Sequence, residues 1–322
     1  MKALVVHTLS ADLSGVGLAD VPEPERRPGQ LRVRVRAASL NYPDLLMTQG
    51  GYQLKPELPF TLGMEMAGEV IEADADAPHR LGDRVVAGTR LGSFAEQVVV
   101  DTALARPIPS NLDFAQTAAI GAAYQTAYVA LVALGRMEPG EWVLVHGATG
   151  GVGQAAVDLA HALGGRVIAT SRSADKLATL AAAYPIEAAL PANGFRERVK
   201  DLTGGGANLV FDPVGGDVFD ESARSIAFGG RLLVVGFTSG RIATVPTNIP
   251  LIKGFAVVGV RAGEYGRRFP ERGRAAADAV WGLAAEGRIA PRIHARHALA
   301  DWRDAFAAMQ ESRHIGKIIL EP

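Results

Sequence analysis

Hydrophobic and polar residues alternate strictly along Leu31-Arg32-Val33-Arg34-Val35-Arg36-Ala37, the two-residue period of a strand with one buried and one wet face. Ala3-Leu4-Val5-Val6 is a second strand-like run, and residues 63–71 and 83–87 read as further strands joined by turns. Val21-Pro22-Glu23-Pro24 breaks the chain between them, and Asn41-Tyr42-Pro43-Asp44-Leu45-Leu46-Met47 reads as a turn opening a short helix. To about residue 100 the pattern predicts a small, irregular β-barrel. The arginines of the alternating run mark its solvated face.

Beyond Pro107-Ile108-Pro109 the period changes. Residues 111–134 are small and apolar at helical spacing and predict two helices that bridge into the next domain. Trp142-Val143-Leu144-Val145 is an apolar run that can be buried on both faces, and it ends in His146-Gly147-Ala148-Thr149-Gly150-Gly151-Val152-Gly153. An Ala-rich helical pattern follows to Gly164-Gly165, and Arg166-Val167-Ile168-Ala169-Thr170 starts a new strand. Residues 208–212, 231–236 and 255–260 are likewise short apolar runs bounded by glycine. Near-continuous hydrophobic strands of this kind fit a parallel sheet covered on both sides by helices. From about Gly263 come a long Ala-rich helix, an amphipathic one carrying Trp302, Phe306 and Met309, and the strand Lys317-Ile318-Ile319-Leu320. That last strand is expected to return to the barrel and make the first domain discontinuous.

A chain of 322 residues is long for one core and comfortable for two. With 48% hydrophobic and 21% charged residues it reads as globular, and a formal net charge of −1 gives no electrostatic reason to expect nucleic acid or an anionic membrane as partner. No apolar run reaches the roughly twenty residues of a spanning helix, and Met1-Lys2 leads straight into a strand without a signal-peptide pattern. The expected location is the cytoplasm. The absence of cysteine excludes disulfides, thiolate nucleophiles and Cys-ligated zinc together.

The turn after Val145 carries the candidate chemistry. Strand, glycine turn, helix and strand within about thirty residues is the context of a dinucleotide fingerprint. Small residues let a turn approach a pyrophosphate closely, and the free N–H groups of a helix start attract its charge. Gly153 allows close packing of helix on strand, while Ala148 stands where the first glycine of GxGxxG belongs. A tight structural turn is the competing account.

Asn41-Tyr42-Pro43-Asp44, Gly63-Met64-Glu65-Met66-Ala67-Gly68, Gly82-Asp83-Arg84-Val85 and Ala148-Thr149-Gly150-Gly151-Val152-Gly153, in this order, resemble the medium-chain dehydrogenase/reductases. Within that superfamily the chain is similar to the zinc-free NADPH:quinone oxidoreductase (zeta-crystallin-like) branch. Val210-Phe211-Asp212-Pro213-Val214-Gly215-Gly216, Gly230-Arg231 and residues 248–253 match that branch too. The resemblance implies an α/β protein. A GroES-like β-barrel catalytic domain (1–121 and 262–322) would join a doubly wound parallel-sheet Rossmann domain (122–261), with NADP(H) in the cleft between them. Where zinc-dependent members place their catalytic-zinc cysteine, histidine and second cysteine, this chain has Asn41, Met64 and Ala122, so no metal is expected. His294 and His297 lack a third ligand and are read as exposed or capping residues.

NAD-preferring proteins place an Asp or Glu after the second strand for the ribose 2′-hydroxyl. Here Ser171, Arg172, Ser173 and Lys176 follow it; Asp175 falls in the first turn of a helix capped by Ser173, where it complements the dipole. A carboxylate about 4 Å from a 2′-phosphate would cost roughly 4 kcal/mol at an effective dielectric near 20, so its replacement favours NADPH. For Arg172 and Lys176 an ordinary charged surface is the alternative, and Tyr184 is either beside the adenosine or in the core. The resemblance adds Gly236, Phe237 and Lys253 to the cofactor site, although a structural ion pair competes for Lys253.

With no metal and no second cofactor, the expected reaction is direct hydride transfer to a quinone or other α,β-unsaturated carbonyl. The protein then aligns donor and acceptor, excludes water and stabilises the developing oxyanion. By resemblance Asn41, Tyr42 and Asp44 line the acceptor groove, and Thr126 sits by the nicotinamide. Tyr52 matches the proton-donating tyrosine of related enoyl thioester reductases; it is read as donor, as substrate-shaping wall or as bystander. A narrower enzyme acting on enoyl- or acryloyl-CoA or alkenal double bonds is a rival. Arg261, Arg267 and Arg268 are then candidates for a CoA phosphate, against an ordinary helix surface. A non-catalytic, crystallin-like NADPH-binding protein is the rival from another class. By resemblance, residues 255–260 form the last Rossmann strand, open at its edge and pairing with its twin in a homodimer.

Overall fold

The computed structural model describes residues 1–322, which divide into two compact units, Met1–Ala122 with Arg292–Pro322, and Ala123–Pro291. The expected boundaries lay at 121/122 and 261/262; the segment 262–291 instead groups with the second unit.

The first unit opens with β1 (Lys2–Val6), β2 (Val16–Asp20) and the long β3 (Gln30–Leu40). The alternation read in the sequence is realised in β3, where Leu31, Val33 and Val35 are buried and Arg34 and Arg36 are exposed. Helix α1 (Tyr42–Thr48), β4 (Phe60–Thr61), β5 (Glu65–Glu72), β6 (Arg84–Gly88), β7 (Gln97–Asp101) and β8 (Arg106–Pro107) follow. Helix α2 (Phe114–Ala118) is started by a capping box: Asp113 accepts the Gln116 N–H at 2.7 Å and Gln116 accepts the Asp113 N–H at 3.0 Å. Helix α3 (Gly121–Tyr128) runs into a π-helical stretch, Val129–Leu134, where the Gly135 N–H reaches back five residues to Ala130 O. The predicted pair of helices is therefore present, with a change of winding at its end.

The second unit contains β9 (Trp142–Val145), α4 (Gly151–Ala162), β10 (Arg166–Ser171), α5 (Ala174–Ala183), β11 (Ala188–Pro191) and α6 (Arg196–Thr203). It continues with β12 (Ala207–Asp212), α7 (Gly216–Ser222), β13 (Ile226–Val234), α8 (Asn248–Lys253), β14 (Ala256–Gly259), α9 (Ala262–Arg268) and α10 (Pro270–Ala285). Its six strands are all parallel in the order β11-β10-β9-β12-β13-β14. The small face of α4 (Ala155, Ala156, Leu159, Ala160) is buried, and the helix packs on β9 and β10. On the other side Phe195, Val199, Val218 and Phe219 of the α6–α7 region pack with Leu144, Val210 and Leu232 of the strands.

The chain then returns to the first unit as β15 (Ile293–Ala298), α11 (Trp302–Gln310) and β16 (Lys317–Glu321). Trp302, Phe306 and Met309 of α11 enter the barrel core, as their spacing predicts. β16 pairs antiparallel with β3, Ile318 opposite Leu40, so the unit is discontinuous as expected. His294 is exposed on β15, and a separation of three on a strand puts His297 on the opposite face. No helix is long and apolar enough to cross a membrane.

Candidate active site

The strand order of the second unit reverses between β9 and β12, and in an open parallel sheet a crevice forms at such a switch point, beyond the carboxyl ends of the strands. The turn after β9 and the loop after β12 both stand there. Gly147 adopts φ +56°, and the Gly150 N–H donates to Gly147 O at 3.0 Å to close the turn. Gly150 is the N-cap of α4 and brings no capping side chain. The half-buried Gly151 and Val152, in the first turn, therefore keep N–H groups without acceptors inside the helix, as an anion site requires. A Cβ on the buried Gly153 would lie 2.2 Å from Gly147 O, so only glycine lets helix and turn pack this closely. Ala148 is a correction to the expected ligand set. It is fully buried and its N–H donates to Thr170 O at 3.0 Å, so it walls the turn and has no amide to offer.

Two buried polar residues that the sequence reading passed over hold these loops. His146 bridges neighbouring elements, Nδ1 lying 2.8 Å from Thr170 Oγ1 and Nε2 lying 2.7 Å from Ser222 Oγ. Ser222 already donates its hydroxyl proton to Val218 O, so it accepts from Nε2–H, and Nδ1 accepts from Thr170. Burial alone pushes the His146 pKa down to about 3, so the ring is neutral. Asp212 Oδ1 accepts the Val214 and Gly215 N–H groups at 2.8 and 2.9 Å and so shapes the loop after β12. Burial raises the Asp212 pKa against those two amides. Gly236 and Phe237 follow β13 at the same edge; Phe237 is partly exposed, and a Cβ on Gly215 would touch its ring.

At the end of β10 the buried Ser171 lies 3.1 Å from Thr149, hydroxyl to hydroxyl. Ser173 caps α5 by accepting the Lys176 N–H, and Asp175 is exposed in the first turn, both as expected. The Lys176 ammonium is held below its ordinary pKa by burial and then by the nearby Arg172 charge. Two cations thus converge where an NAD-binding chain would have a carboxylate. Tyr184 belongs to the core: its hydroxyl donates to Ala290 O and accepts from Gln154. Lys253 is a further correction. It precedes β14 at the amino-terminal edge of the sheet and donates to Arg224 O, a strand's length from the turn, with burial and then Lys200, Arg196 and Arg224 lowering its pKa.

In the first unit Asn41 leads into α1, with Tyr42 exposed beside it and Tyr52 half-buried against the barrel core. In the same unit an apolar slot of about 90 Å³ is lined by Met47, Leu54, Pro56 and Phe60, together with Lys55. The Asn41 amide is fully occupied. Its Nδ2 donates to Ser39 O and Glu65 Oε1, and its Oδ1 accepts from Lys317. Asp44 is corrected as a substrate contact: it is 0% exposed, and its Oδ2 accepts the Asn41 N–H at 2.9 Å. Burial drives its pKa up to about 7, against the Asn41 N–H and the Lys317 charge. Thr126 is half-buried in α3, in the second unit's share of the chain.

A zinc ion does not fit. Amide, thioether and methyl at positions 41, 64 and 122 make no tetrahedral set, and no three His, Asp or Glu side chains are grouped to share a metal. A dinucleotide does fit: the crevice offers uncapped amides for a pyrophosphate and a basic corner beyond β10.

Residues 27–110 match the model of the alcohol dehydrogenase GroES-like domain, and residues 151–279 that of the zinc-binding dehydrogenases. The quinone oxidoreductase-like protein 2 homolog of Nematostella vectensis is 38% identical over 304 residues, covering 90% of this chain and 81% of its own. Quinone oxidoreductase-like protein 2 of Bos taurus is 37% identical over 305 residues, covering 93% and 86%. The quinone oxidoreductase of Thermus thermophilus, whose structure was also solved in complex with NADPH, superposes with a TM-score of 0.86 at 32% identity, covering 100% of both chains. A GroES-like unit joined to a Rossmann unit defines a nicotinamide-dependent oxidoreductase. The chain belongs to the medium-chain dehydrogenase/reductase family, in its quinone oxidoreductase branch.

Proposed function

We propose that this protein is a zinc-independent NADPH-dependent reductase of quinones or other conjugated carbonyls. The observation that carries the cofactor choice is the corner after β10. Arg172 and Lys176 are close enough to depress a pKa, the Ser171 and Thr149 hydroxyls lie 3.1 Å apart, and Ser171, Arg172 and Ser173 stand in sequence where NAD-preferring chains carry a carboxylate. Gly151 and Val152 hold the pyrophosphate through their amides. Reduced nicotinamide supplies a hydride when bound. Thr126 is assigned to the nicotinamide side and Tyr52 to the acceptor side.

A quinone that takes up a hydride also needs a proton, and Tyr52 is the group assigned to give it, refilled from solvent because the residue is half-buried. The CoA-thioester reading loses ground because Arg267 and Arg268 both bond Glu264, three and four residues back on α9. The homodimer is retained: β14 is an open edge, and Phe228, Leu251, Ile252 and Val257 are exposed around it.

Steady-state rates with NADPH and NADH against 1,2-naphthoquinone, a short 2-alkenal and crotonyl-CoA test the proposal. Quinone or alkenal turnover with NADPH, reduced by Tyr52→Phe at unchanged NADPH affinity, is the expected result. Tight NADPH binding without oxidation by any acceptor would instead identify a binding protein.

A further inference from the structure

Beside Asn41, which by resemblance stands where zinc-dependent members have a cysteine, the chain carries a buried cation of its own. The β3–β16 pairing puts Lys317 next to Asn41, 276 residues away in sequence. Lys317 Nζ donates to Asn41 Oδ1 at 2.6 Å and to Glu65 Oε1 at 3.3 Å, and Asn41 Nδ2 donates to Glu65 Oε1 at 2.9 Å. Each of the three is thus bonded to the other two. Glu65 Oε2 accepts the Ala122 N–H at 2.6 Å, where a Cβ on Gly121 would collide with it. The side chains of Lys317 and Glu65 are 4% and 3% exposed.

We propose that Lys317 is a positioning residue for the acceptor site and the buried cross-link of the first unit. Its ammonium ties β16 to β5 and to the start of α1, and Glu65 carries the tie on to the start of α3 through the Ala122 N–H. It also fixes the Asn41 amide with both N–H groups engaged, so Asn41 presents the acceptor with a fixed wall and no donor. The positioning role rests on the reductase reading; the tether does not.

The test is a cycle of Lys317→Met, Glu65→Gln, the double variant and Lys317→Arg. Lys317→Met leaves a carboxylate buried without its cation and should melt well below the parent, whereas the double variant, lacking both charges, should recover most of the loss. In the folded double variant the Asn41 amide has lost its ammonium donor and faces a neutral amide in place of the carboxylate. The quinone KM should rise about tenfold while the NADPH Kd stays at the parent value, with Lys317→Arg closer to the parent. Parent-like melting of Lys317→Met, or losses that add rather than cancel, would overturn the tether. A parent-like quinone KM in the double variant would overturn the positioning role. A parent inactive on every acceptor would remove the positioning role with the reductase reading, while the melting cycle still decides the tether.

Discussion

Acid should loosen the cofactor turn through one histidine. His146 is 0% exposed, and its folded pKa of about 3 lies below the ordinary 6.5. An unfolded chain takes up a proton below pH ~6.5 that the native chain refuses until pH ~3. The stability tied to this residue is therefore fully present above about 6.5 and is lost as pH falls. At ~1.4 kcal/mol per unit the loss is about 2 kcal/mol at pH 5 and approaches a limit of about 5 kcal/mol below pH 3. Native-state hydrogen exchange over residues 142–154, at pH 7.5 and pH 5, reads the opening free energy where the histidine acts. Other groups titrate in this range, so the informative quantity is the gap between the parent and His146→Gln. At pH 7.5 the glutamine cannot satisfy both Thr170 and Ser222, and the variant should be weaker by about 1–3 kcal/mol. At pH 5 the gap should shrink by about 2 kcal/mol, because only the parent carries the linkage. A gap of the same size at both pH values would mean that His146 is not a buried neutral ring, and the reasoning fails.

Gly153→Ala places a methyl 2.2 Å from Gly147 O; overpacking of about 1–3 kcal/mol should weaken NADPH binding some ten- to a hundredfold, by fluorescence titration, with the circular dichroism of the parent. Removing both cations in Arg172→Ala/Lys176→Ala should weaken NADPH by about a hundredfold and leave NADH almost unchanged, and equal losses for both would refute the 2′-phosphate assignment. Asp44, with its pKa raised to about 7, takes the opposite sign to His146: its contribution is present below ~4 and lost as pH rises through ~7. Asp44→Asn should accordingly melt higher than the parent at pH 8, by up to about 4 kcal/mol, and show no gain at pH 4.

The parallel sheet was readable because its central strands are buried on both faces and so form unbroken apolar runs bounded by glycine; β9, β10 and β12 lie where such runs were seen, while the runs at 231–236 and 255–260 mark the end of β13 and the exposed edge strand β14. Short edge elements such as β2, β4 and β11 have no such signature, since one wet face and two to five residues leave little pattern. The second domain boundary fell late for a different reason. Helices α9 and α10 group with the second unit through tertiary contacts, α9 against the π-helical stretch at Val129–Leu134, and spacing along the chain does not encode which unit an amphipathic helix joins.

The same division runs through the site. Main-chain chemistry was legible, because glycine and capping residues declare where amides stand free. Side-chain networks were not, because their partners are remote: Lys317 meets Glu65 across 252 residues. The one available signal was a charge at the head of an apolar strand, as in Lys317-Ile318-Ile319-Leu320 and in Glu65 between Met64 and Met66. That signal also explains why Asp44 is no substrate ligand. One ammonium lies among two buried carboxyl groups. Glu65 receives Lys317, Asn41 and the Ala122 amide, while Asp44 Oδ2 receives the Asn41 amide and its Oδ1 has no hydrogen-bond partner. A single cation balances one of the two, and in a medium that penalises net charge the other keeps its proton to near neutrality. The carboxyl group that keeps it is the one with the fewest donors, and burial has already closed it to any acceptor.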